Sequence, residues 1–456
     1  MYNIRRKRLA AACAALVTLT LGLSLAMILR SGLIPGANEE ADQRKAKLEA
    51  IYEKEATLEG QFLDRGGNAI SLPETPGQAA PLVDGEAYSY LIGYNSPIYG
   101  TSGLRSSLSD YLYTGGRDHV GAAVTLTLDG VLQESCYRLL DGHAGSVIVL
   151  VPETGAVLAC ASRSADDMGM DVNQIDSLMP TYLQREGFLL NSALRTEDPP
   201  GSTFKLITAA SLIENGLSGY TMDDTGSFRY GSNVITNHDG LVGGPGLGLQ
   251  KALVSSLNTY FASAGCQLGN ALLGETAAGF LYDAEYALDF GALRSSSGLS
   301  GNLNRNAAGS TAFGQGELVT SPLQICCSMA ALLNGGQLMK PYLIGQIQDE
   351  GAVCYAAQPE LLSQACSPET ADEVLALAEA AAQSYGLEYP GGRVCAKTGT
   401  AETASGLYHA YLLLGIETPS GQRYAALINW RETSGGSGQL IPYAQMMLEY
   451  LRQLES

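Results

Sequence analysis

The tetrapeptide Ser202-Thr203-Phe204-Lys205 is the only Ser-x-x-Lys sequence in the chain, and its two polar ends could form a nucleophile with its base. It follows Pro199-Pro200-Gly201, which cannot continue a helix, so we predict that a helix begins at about Ser202 and ends at Asn215. A serine at this end lies among unpaired backbone N–H groups, and Lys205 shares its helix face. Lys205 serves as a base only if burial and a second positive charge keep it neutral. A plain helix cap is the alternative for Ser202.

A second candidate is Ser256-Leu257-Asn258, which precedes the apolar helical run Tyr260–Leu268. A turn there would project a hydroxyl and a carboxamide to the same side, where they could pass a proton and orient a peptide. Ser300-Gly301-Asn302 has the same pattern, but it lies in a Ser-, Gly- and Asn-rich loop without a helix or strand to fix it. We therefore favour Ser256 and Asn258.

The third candidate is Lys397-Thr398-Gly399-Thr400, at the end of an apolar run that reads as a strand. On a strand, Lys397 and Gly399 face one way, and Thr398 and Thr400 face the other. Glycine lets a substrate backbone come close, and a Lys-Thr pair suits a carboxylate. The exposed end of a surface strand is the alternative.

The helices and strands that would position these residues can be predicted from the pattern of apolar residues. Two apolar runs joined by Pro152-Glu153-Thr154-Gly155 predict a β-hairpin, helical patterns follow, and strand-like runs return near the end. The predicted strands are 123–128, 146–151, 156–161, 393–398, 409–416 and 424–430, and the predicted helices are 202–215, 257–268, 321–334, 368–384 and 440–454. Strands at both ends with helices between them predict an α/β fold whose sheet is closed by both ends of the domain.

The amino terminus predicts a membrane anchor. Leu9–Leu29 is uncharged and mostly apolar, and a helix needs about 20 such residues to cross a bilayer. The basic cluster Arg5–Arg8 should stay in the cytoplasm, which places the rest of the chain outside. A cleaved signal peptide is the alternative. We predict three parts: a cytoplasmic tip and transmembrane anchor at 1–30, a membrane-proximal module at 31–120 and a larger α/β domain at 121–456.

Composition argues against two other classes of protein. The net charge is −19 and no basic stripe follows the anchor, so nucleic-acid binding is not expected. The four histidines are widely separated and no Cys-x-x-Cys occurs, so we expect no metal site and no cofactor. We expect the cysteines after the anchor to be small buried hydrophobic residues, and a Cys354–Cys366 disulfide stays open.

Taken together and in this order, Ser-x-x-Lys, Ser-x-Asn and Lys-Thr-Gly are a known signature of penicillin-binding proteins and class A β-lactamases. The chain resembles a class B penicillin-binding protein, a peptidoglycan D,D-transpeptidase, over roughly residues 60–430. Further segments that resemble the family are Asn191–Leu194, Pro199–Lys205, Ser256–Phe261, Gly314–Gln324, Ala331–Gly336, Ile92–Gly100 and Ser102–Leu104.

The resemblance implies the penicillin-binding transpeptidase fold, in which an antiparallel sheet is flanked by helices, above a small membrane-proximal pedestal. It implies that Ser202 attacks stem peptides ending in D-Ala-D-Ala and that β-lactams acylate the same serine. Lys205, Ser256, Asn258 and Lys397 would be catalytic. Thr398, Gly399 and Thr400 would bind substrate and contribute to the oxyanion hole, together with the backbone N–H of Ser202. A separate membrane protein would polymerise the glycan strands.

Two pedestal positions depart from the family pattern. Members usually begin the pedestal with Arg-Gly, where this chain has Glu59-Gly60, and they often carry Gly-Leu-Glu, where it has Gly103-Leu104-Arg105. Both lie in the pedestal, so they put the family's partner contacts in doubt more than its chemistry. The alternatives for function are a D,D-carboxypeptidase or β-lactamase-like hydrolase with water as the acceptor, and a non-catalytic penicillin-sensing or wall-scaffold protein.

Overall fold

A computed structural model describes Thr18, Thr20 and residues 39–114, 118–165, 168–195, 198–304, 306–403 and 405–455. Apart from Thr18 and Thr20, the predicted anchor Leu9–Leu29 lies outside these residues. Within the described ranges, no helix is both long enough and apolar enough to cross a membrane.

Helices and strands alternate along most of the described chain. The helices are α1 (Glu39–Ala56), α2 (Gly85–Ile92), α3 (Gly103–Ser107), α4 (Ser109–Leu112), α5 (Gly130–Arg138), α6 (Ile175–Tyr182), α7 (Lys205–Glu214), α8 (Leu249–Val254), α9 (Asn258–Gly279), α10 (Ala307–Thr311), α11 (Pro322–Leu333), α12 (Pro368–Ser384) and α13 (Ile441–Gln453). The strands are β1 (Phe62–Leu63), β2 (Asn95–Ser96), β3 (Gly100–Thr101), β4 (Ala123–Leu126), β5 (Gly145–Leu150), β6 (Val157–Arg163), β7 (Thr221–Asp224), β8 (Ser227–Tyr230), β9 (Asn233–Thr236), β10 (Gly244–Gly248), β11 (Glu285–Leu288), β12 (Gly291–Arg294), β13 (Gln337–Met339), β14 (Ile344–Asp349), β15 (Ala352–Ala356), β16 (Leu361–Gln364), β17 (Arg393–Glu402), β18 (Tyr408–Glu417) and β19 (Arg423–Thr433). Short 3-10 turns are Val172–Gln174, Gly201–Phe204, His238–Gly240 and Ser437–Leu440.

The central sheet has five antiparallel strands in the order β17-β18-β19-β5-β6. The predicted hairpin supplies β5 and β6, and β5 pairs with β19 from near the end of the chain, with Leu150 opposite Ala425. The prediction of a sheet closed by both ends of the domain is therefore confirmed.

Both faces of this sheet are covered, which explains why its strands are apolar runs rather than alternating patterns. Side chains such as Val147 and Leu412 pack against α5 and α13, while Ile148 and Leu413 point to the opposite face and pack in the core that includes α11 and α12. The sheet is thereby rigidly held, and its edge strand β17 carries the Lys-Thr-Gly sequence.

A second sheet connects the membrane-proximal module to the larger domain. It has the order β1-β4-β14-β15, with β1 parallel to β4 and Phe62 opposite Val124. The sheet therefore joins strands from both sides of position 120, the boundary that we predict between the two parts.

Glu59 and Arg105, the two pedestal positions that depart from the family pattern, form an ion pair with each other. Arg105 Nε donates to Glu59 Oε1 at 2.9 Å and Nη2 donates to Oε2 at 3.0 Å, and the side chains are 1% and 0% exposed. Glu59 also accepts from the Ala80 N–H at 2.6 Å and from the Tyr113 hydroxyl, and Arg105 donates to Gly93 O at 2.8 Å. Both side chains are therefore buried in an internal ion pair, and the doubt about the family's partner contacts stays a prediction.

The cysteines follow the expectation in most cases. Those at 136, 160, 326, 327, 366 and 395 are buried and free, whereas Cys266 is half-buried and Cys354 is exposed. The Cys354–Cys366 disulfide is absent, since both thiols are free.

Candidate active site

Ser202 lies in the 3-10 turn Gly201–Phe204, which runs directly into α7. The predicted helix is present, but its first turn is 3-10 rather than α. A 3-10 helix has three residues per turn, so residues i and i+3 lie one above the other and Lys205 follows Ser202 on the same side. Ser202 is half-buried at the wall of a cleft, whereas Lys205 is completely buried beneath it.

Close backbone contacts explain why glycine precedes Ser202. Gly201 has a φ of +55°, and a Cβ there would lie 2.8 Å from Thr400 O and 3.1 Å from Thr400 N. Gly314 has a φ of +86°, and its Cβ would lie only 1.7 Å from Gly201 O. Only glycine tolerates both the left-handed backbone and this approach. The turn therefore packs directly against β17 on one side and the Gly314 loop on the other.

The Lys205 amine is held by three oxygen atoms of the Ser256 turn. Nζ lies 2.7 Å from Ser256 O, 2.8 Å from Asn258 Oδ1 and 3.2 Å from Ser256 Oγ. The carbonyl and the amide oxygen only accept hydrogen bonds, so they take two N–H groups of the amine. If Lys205 is neutral, its lone pair is then left for a hydroxyl. Within the described part of the chain, Ser202 Oγ makes no hydrogen bond, and catalytic hydrogen bonds often tighten only when substrate is bound.

Ser256 is presented by an unusual backbone conformation. Its φ is +53°, in the left-handed region that costs a non-glycine residue free energy. The turn is fixed because the Ser256 N–H donates to Leu253 O at 3.1 Å and the Leu257 N–H donates to Ala252 O at 2.9 Å. Asn258 then begins α9. The end of α8 and the start of α9 therefore deliver the Ser256 hydroxyl and the Asn258 carboxamide to the same amine, as the sequence predicts.

Lys397 approaches Ser256 from the sheet. It is completely buried on β17, and its Nζ donates to Ser256 Oγ at 2.9 Å and to Thr398 O at 3.0 Å. Ser256 Oγ consequently lies between the two amines of Lys205 and Lys397. These groups come from α7, the α8–α9 turn and β17, so the structure brings together all five residues that we predict to be catalytic.

The two threonines after Lys397 face the cleft. Thr398 and Thr400 line it, and Thr400 Oγ1 donates to Ser437 Oγ at 2.9 Å and accepts from the Ser437 N–H at 3.1 Å. Gly399 faces the other way, as predicted, but a Cβ there would meet Pro200 O at 2.9 Å and Thr203 N at 3.3 Å. This glycine therefore lets the Ser202 turn approach the strand, rather than admitting a substrate backbone.

Burial and neighbouring groups shift the pKa values of the two lysines. Burial, and second the positive charge of Lys397, hold the pKa of Lys205 well below its usual range. Burial also lowers the pKa of Lys397, but the Tyr385 hydroxyl opposes that effect. Among the described residues, no carboxylate pairs with either amine. These shifts favour the neutral form of Lys205, whereas Tyr385 favours the charged form of Lys397.

The cleft has a volume of about 830 Å³ and an open mouth. Its lining includes Ser202, Ser256, Asn258, Thr398 and Thr400, and the hairpin of β8 and β9 forms part of its wall. It is large enough for a peptide segment. Within the ranges that the structure describes, no group of His, Cys, Asp and Glu side chains is arranged to hold a metal ion.

Sequence reasoning missed a cluster that fixes the segment before Ser202. Asp198 Oδ2 accepts from Arg431 Nε at 2.9 Å, Asp198 Oδ1 lies 3.2 Å from His409 Nε2, and His409 Nδ1 accepts from the Glu432 N–H at 3.3 Å. The three side chains join the Ser202 segment to β18 and β19. The one signal for it is a charged residue, Asp198, directly before two prolines. Tyr385 and Ser437, which hydrogen-bond the cleft threonines, lie in no motif at all.

Comparison with known proteins gives a consistent result. The Penicillin binding protein transpeptidase domain family matches residues 145–443. The peptidoglycan D,D-transpeptidase PbpA of Mycolicibacterium smegmatis is 28% identical over 353 residues, which cover 70% of this chain and 71% of that protein. PbpA of Mycobacterium tuberculosis is 30% identical over 310 residues, or 63% of this chain and 62% of that protein.

A solved structure agrees with this assignment at the level of the fold. The imipenem acyl-enzyme complex of penicillin-binding protein A from M. tuberculosis superposes with a TM-score of 0.79 at 24% identity. The match covers 88% of this chain and 99% of that one.

Proposed function

The chain belongs to the penicillin-binding protein transpeptidase family and is a peptidoglycan D,D-transpeptidase of the acyl-serine type, and we propose that Ser202 is its nucleophile. The observation that carries this proposal is the convergence of Lys205, Ser256, Asn258 and Lys397 behind the Ser202 turn. Ser202 Oγ attacks the carbonyl between the two terminal D-alanines of a stem peptide. β-Lactams acylate the enzyme, and Ser202 is the residue that they modify.

Neutral Lys205 takes the proton of Ser202 as the C–O bond forms. Its burial and the charge of Lys397 support this role, because both favour the unprotonated amine. The proton passes to the leaving amine of the last D-alanine through Ser256 Oγ, which lies 3.2 Å from Lys205 Nζ and 2.9 Å from Lys397 Nζ. The C–N bond then breaks, D-alanine departs as the free amine, and Ser202 carries the acyl group.

The remaining groups orient the peptide and stabilise developing charge. Asn258 holds the donor's backbone, while Lys397, Thr398 and Thr400 receive its terminal carboxylate. The backbone N–H groups of Ser202 and Thr400 form the oxyanion hole, and the tight packing of Gly201 on Thr400 supports this pairing. One such donor typically contributes about 3–4 kcal/mol to transition-state stabilisation.

Deacylation completes the cross-link. The amine of a neighbouring stem peptide attacks the ester carbonyl, loses a proton to the same network and forms an amide, and the Ser202 hydroxyl is restored. No metal or organic cofactor takes part in these steps.

The enzyme is a single-pass membrane protein with its amino terminus in the cytoplasm and the catalytic domain outside. The apolar stretch Leu9–Leu29 after a basic cluster supports this topology. The chain is divided at about residues 30 and 120 into anchor, pedestal and transpeptidase domain. The segment between Arg30 and Gly121 is too short to hold a glycan-polymerising domain as well as the pedestal, and the resemblance to class B penicillin-binding proteins implies a separate membrane protein that supplies the strands.

Labelling with a fluorescent penicillin tests the nucleophile. We expect one label in the ectodomain of the full chain, no label on Ser202→Ala, and full labelling of Ser232→Ala, which removes another cleft hydroxyl. Labelling of Ser202→Ala with an unchanged unfolding temperature would refute the assignment. The acylation rate should rise with pH, with a midpoint well below the pKa of a free lysine, because Lys205 must lose its proton.

Product analysis separates cross-linking from hydrolysis. With a D-Ala-D-Ala peptide and an amine acceptor, we expect the amide product to exceed the hydrolysed peptide, and the penicilloyl adduct to persist for many minutes. Hydrolysis alone would indicate a carboxypeptidase, rapid loss of the adduct a β-lactamase, and stable penicillin binding without turnover of peptide a sensor or scaffold.

A further inference from the structure

A tyrosine outside every motif reaches the amine and hydroxyl groups of the cleft. Tyr385 is the first residue after α12, and its N–H donates to Ala381 O at 3.2 Å and to Ala382 O at 3.0 Å. Gly386 follows with a φ of +70° and ends the helix. The backbone of Tyr385 is therefore fixed. Its ring packs against the cores on both faces of the sheet, which restricts the orientation of the side chain.

The Tyr385 hydroxyl lies 3.1 Å from Thr398 Oγ1. The carbonyl of the same threonine accepts from Lys397 Nζ at 3.0 Å, and Lys397 Nζ also donates to Ser256 Oγ at 2.9 Å. Thr398 thus contacts Tyr385 through its hydroxyl and Lys397 through its carbonyl, and Lys397 in turn contacts Ser256. Each of these residues except Tyr385 already has a role in the proposed reaction.

Tyr385 is also the acidic group that faces Lys397. The groups around the Lys397 amine are Ser256 on the α8–α9 turn, Lys205 on α7, and Tyr385 after α12, and among the described residues no Asp or Glu pairs with it. Burial alone would raise the pKa of Tyr385, but the charge of Lys397 and the hydrogen bond with Thr398 outweigh it and lower the pKa. Tyr385 in turn opposes the lowering of the Lys397 pKa that burial causes.

We propose that Tyr385 is a positioning residue of the transpeptidase reaction, whose hydroxyl orients Thr398 and holds the charged Lys397 amine toward the carboxylate of the bound peptide. This inference rests on the proposed function of Lys397 and Thr398. After burial, the charge of Lys397 is the second cause that lowers the pKa of Lys205, so Tyr385 acts on the base indirectly, through Lys397.

The test compares Tyr385→Phe with Tyr389→Phe in the full chain. Both changes remove only a hydroxyl, and the Tyr389 hydroxyl is buried without a hydrogen-bond partner among the described residues. The probe is a chromogenic cephalosporin, which carries a carboxylate, and the acylation rate is measured against concentration and pH. Thermal unfolding of each variant monitors the fold.

Tyr385→Phe should lower the second-order rate constant of acylation by about tenfold, the typical effect of losing one hydrogen bond near a charged group. The fall of the acylation rate at high pH should begin at a lower pH in this variant, because Lys397 then loses its proton more readily. Tyr389→Phe should retain the wild-type rate and pH profile. An unchanged rate and pH profile in a folded Tyr385→Phe would overturn the proposal.

A double-mutant cycle keeps the test independent of folding effects. Thr398→Val breaks the same hydrogen bond from the other end, so Tyr385→Phe should cost clearly less on that background than on the wild type. Equal losses on both backgrounds would overturn a role through Thr398. If the wild-type protein itself is not acylated, the proposed function fails rather than the role of Tyr385.

Discussion

The buried pair of Glu59 and Arg105 makes the stability of the membrane-proximal module sensitive to single changes of charge. Glu59→Gln should destabilise it by about 3–5 kcal/mol, the usual cost of leaving a buried charge without its partner. Arg105 would keep neutral acceptors, the carbonyls of Gly93 and Ala80 and the amide oxygen at position 59, but no anionic partner for a guanidinium that is 1% exposed. Arg105→Met should cost a similar amount, because the Glu59 carboxylate then stays buried with the Ala80 N–H and the Tyr113 hydroxyl alone.

Reversing the pair should not restore stability. In Glu59→Arg combined with Arg105→Glu, opposite charges still face each other, but the neighbours do not change sign. The Tyr113 hydroxyl can rotate and accept from the new cation, but the Ala80 N–H would face that cation and the carbonyls of Gly93 and Ala80 would face an anion. A hydrogen bond to a charged group contributes about 1.5–3 kcal/mol, so these three lost bonds outweigh the recovered attraction.

Hydrogen exchange of the full chain measures this directly. We expect amides of the module around Glu59 to lose protection by about a hundredfold or more in each variant, since 1.4 kcal/mol corresponds to a factor of ten. The control is Glu285→Gln, which breaks an ion pair with Arg294 whose members are 57% and 69% exposed and should change little. Wild-type protection in the reversed pair would refute the reasoning, because it would show that attraction between the charges alone determines the stability.

Two further predictions concern the segment that holds Ser202. Burial tends to raise the pKa of Asp198, but His409 and Arg431 outweigh it and lower the pKa from 3.8 to about 2. Its stabilisation, about 2 kcal/mol, is therefore present above pH 3.8 and is lost as pH falls toward 2. The gap in unfolding temperature between wild type and Asp198→Asn should close over this range, and a constant gap would contradict the prediction. Gly314→Ala should lower the acylation rate at least tenfold, because its Cβ would displace Gly201. Gly316→Ala, with the same φ of +86°, should lower that rate less, and the kinetics of penicillin labelling measure both.

The central sheet and the reacting residues could be predicted from the sequence because their signals are local. The apolar runs that form β5 and β6 are joined by a turn with glycine, and Pro-Pro-Gly marks the start of the Ser202 turn. The three-residue period of that turn then places Ser202 and Lys205 on the same side. Such features need no knowledge of distant contacts.

The pedestal departures show where local reading fails. Glu59 and Arg105 are 46 positions apart, and each alone looks like a charged surface residue that has changed its sign. Only the packing of α3 against the start of the module makes them one buried pair. Family members usually have arginine at the first position and glutamate at the second, the reverse of this chain. The two departures therefore compensate each other in charge. Considered as a pair, the two positions would have indicated an internal contact.

The contacts of Gly399 and Tyr385 could not be predicted from the sequence for a related reason. The neighbour of Gly399 is the Ser202 turn, and the neighbour of Tyr385 is Thr398, and neither contact is visible until β17 is placed in the fold. The conformation of Ser256 is likewise imposed by hydrogen bonds at the end of α8, since nothing in a serine favours a φ of +53°.

The charge of the two lysines is the property that depends most on the assembled fold. Sequence can name Lys205 and Lys397 as amines near a serine, but whether either is neutral depends on burial and on the charges nearby. Both are completely buried, and burial lowers the pKa of each, so burial alone cannot assign one the role of base. The asymmetry comes from Tyr385, which faces Lys397, and from Lys397 itself, whose charge acts on Lys205. If Lys205 is the base and Lys397 receives the carboxylate, as we propose, a side chain outside all three motifs helps to separate the two roles.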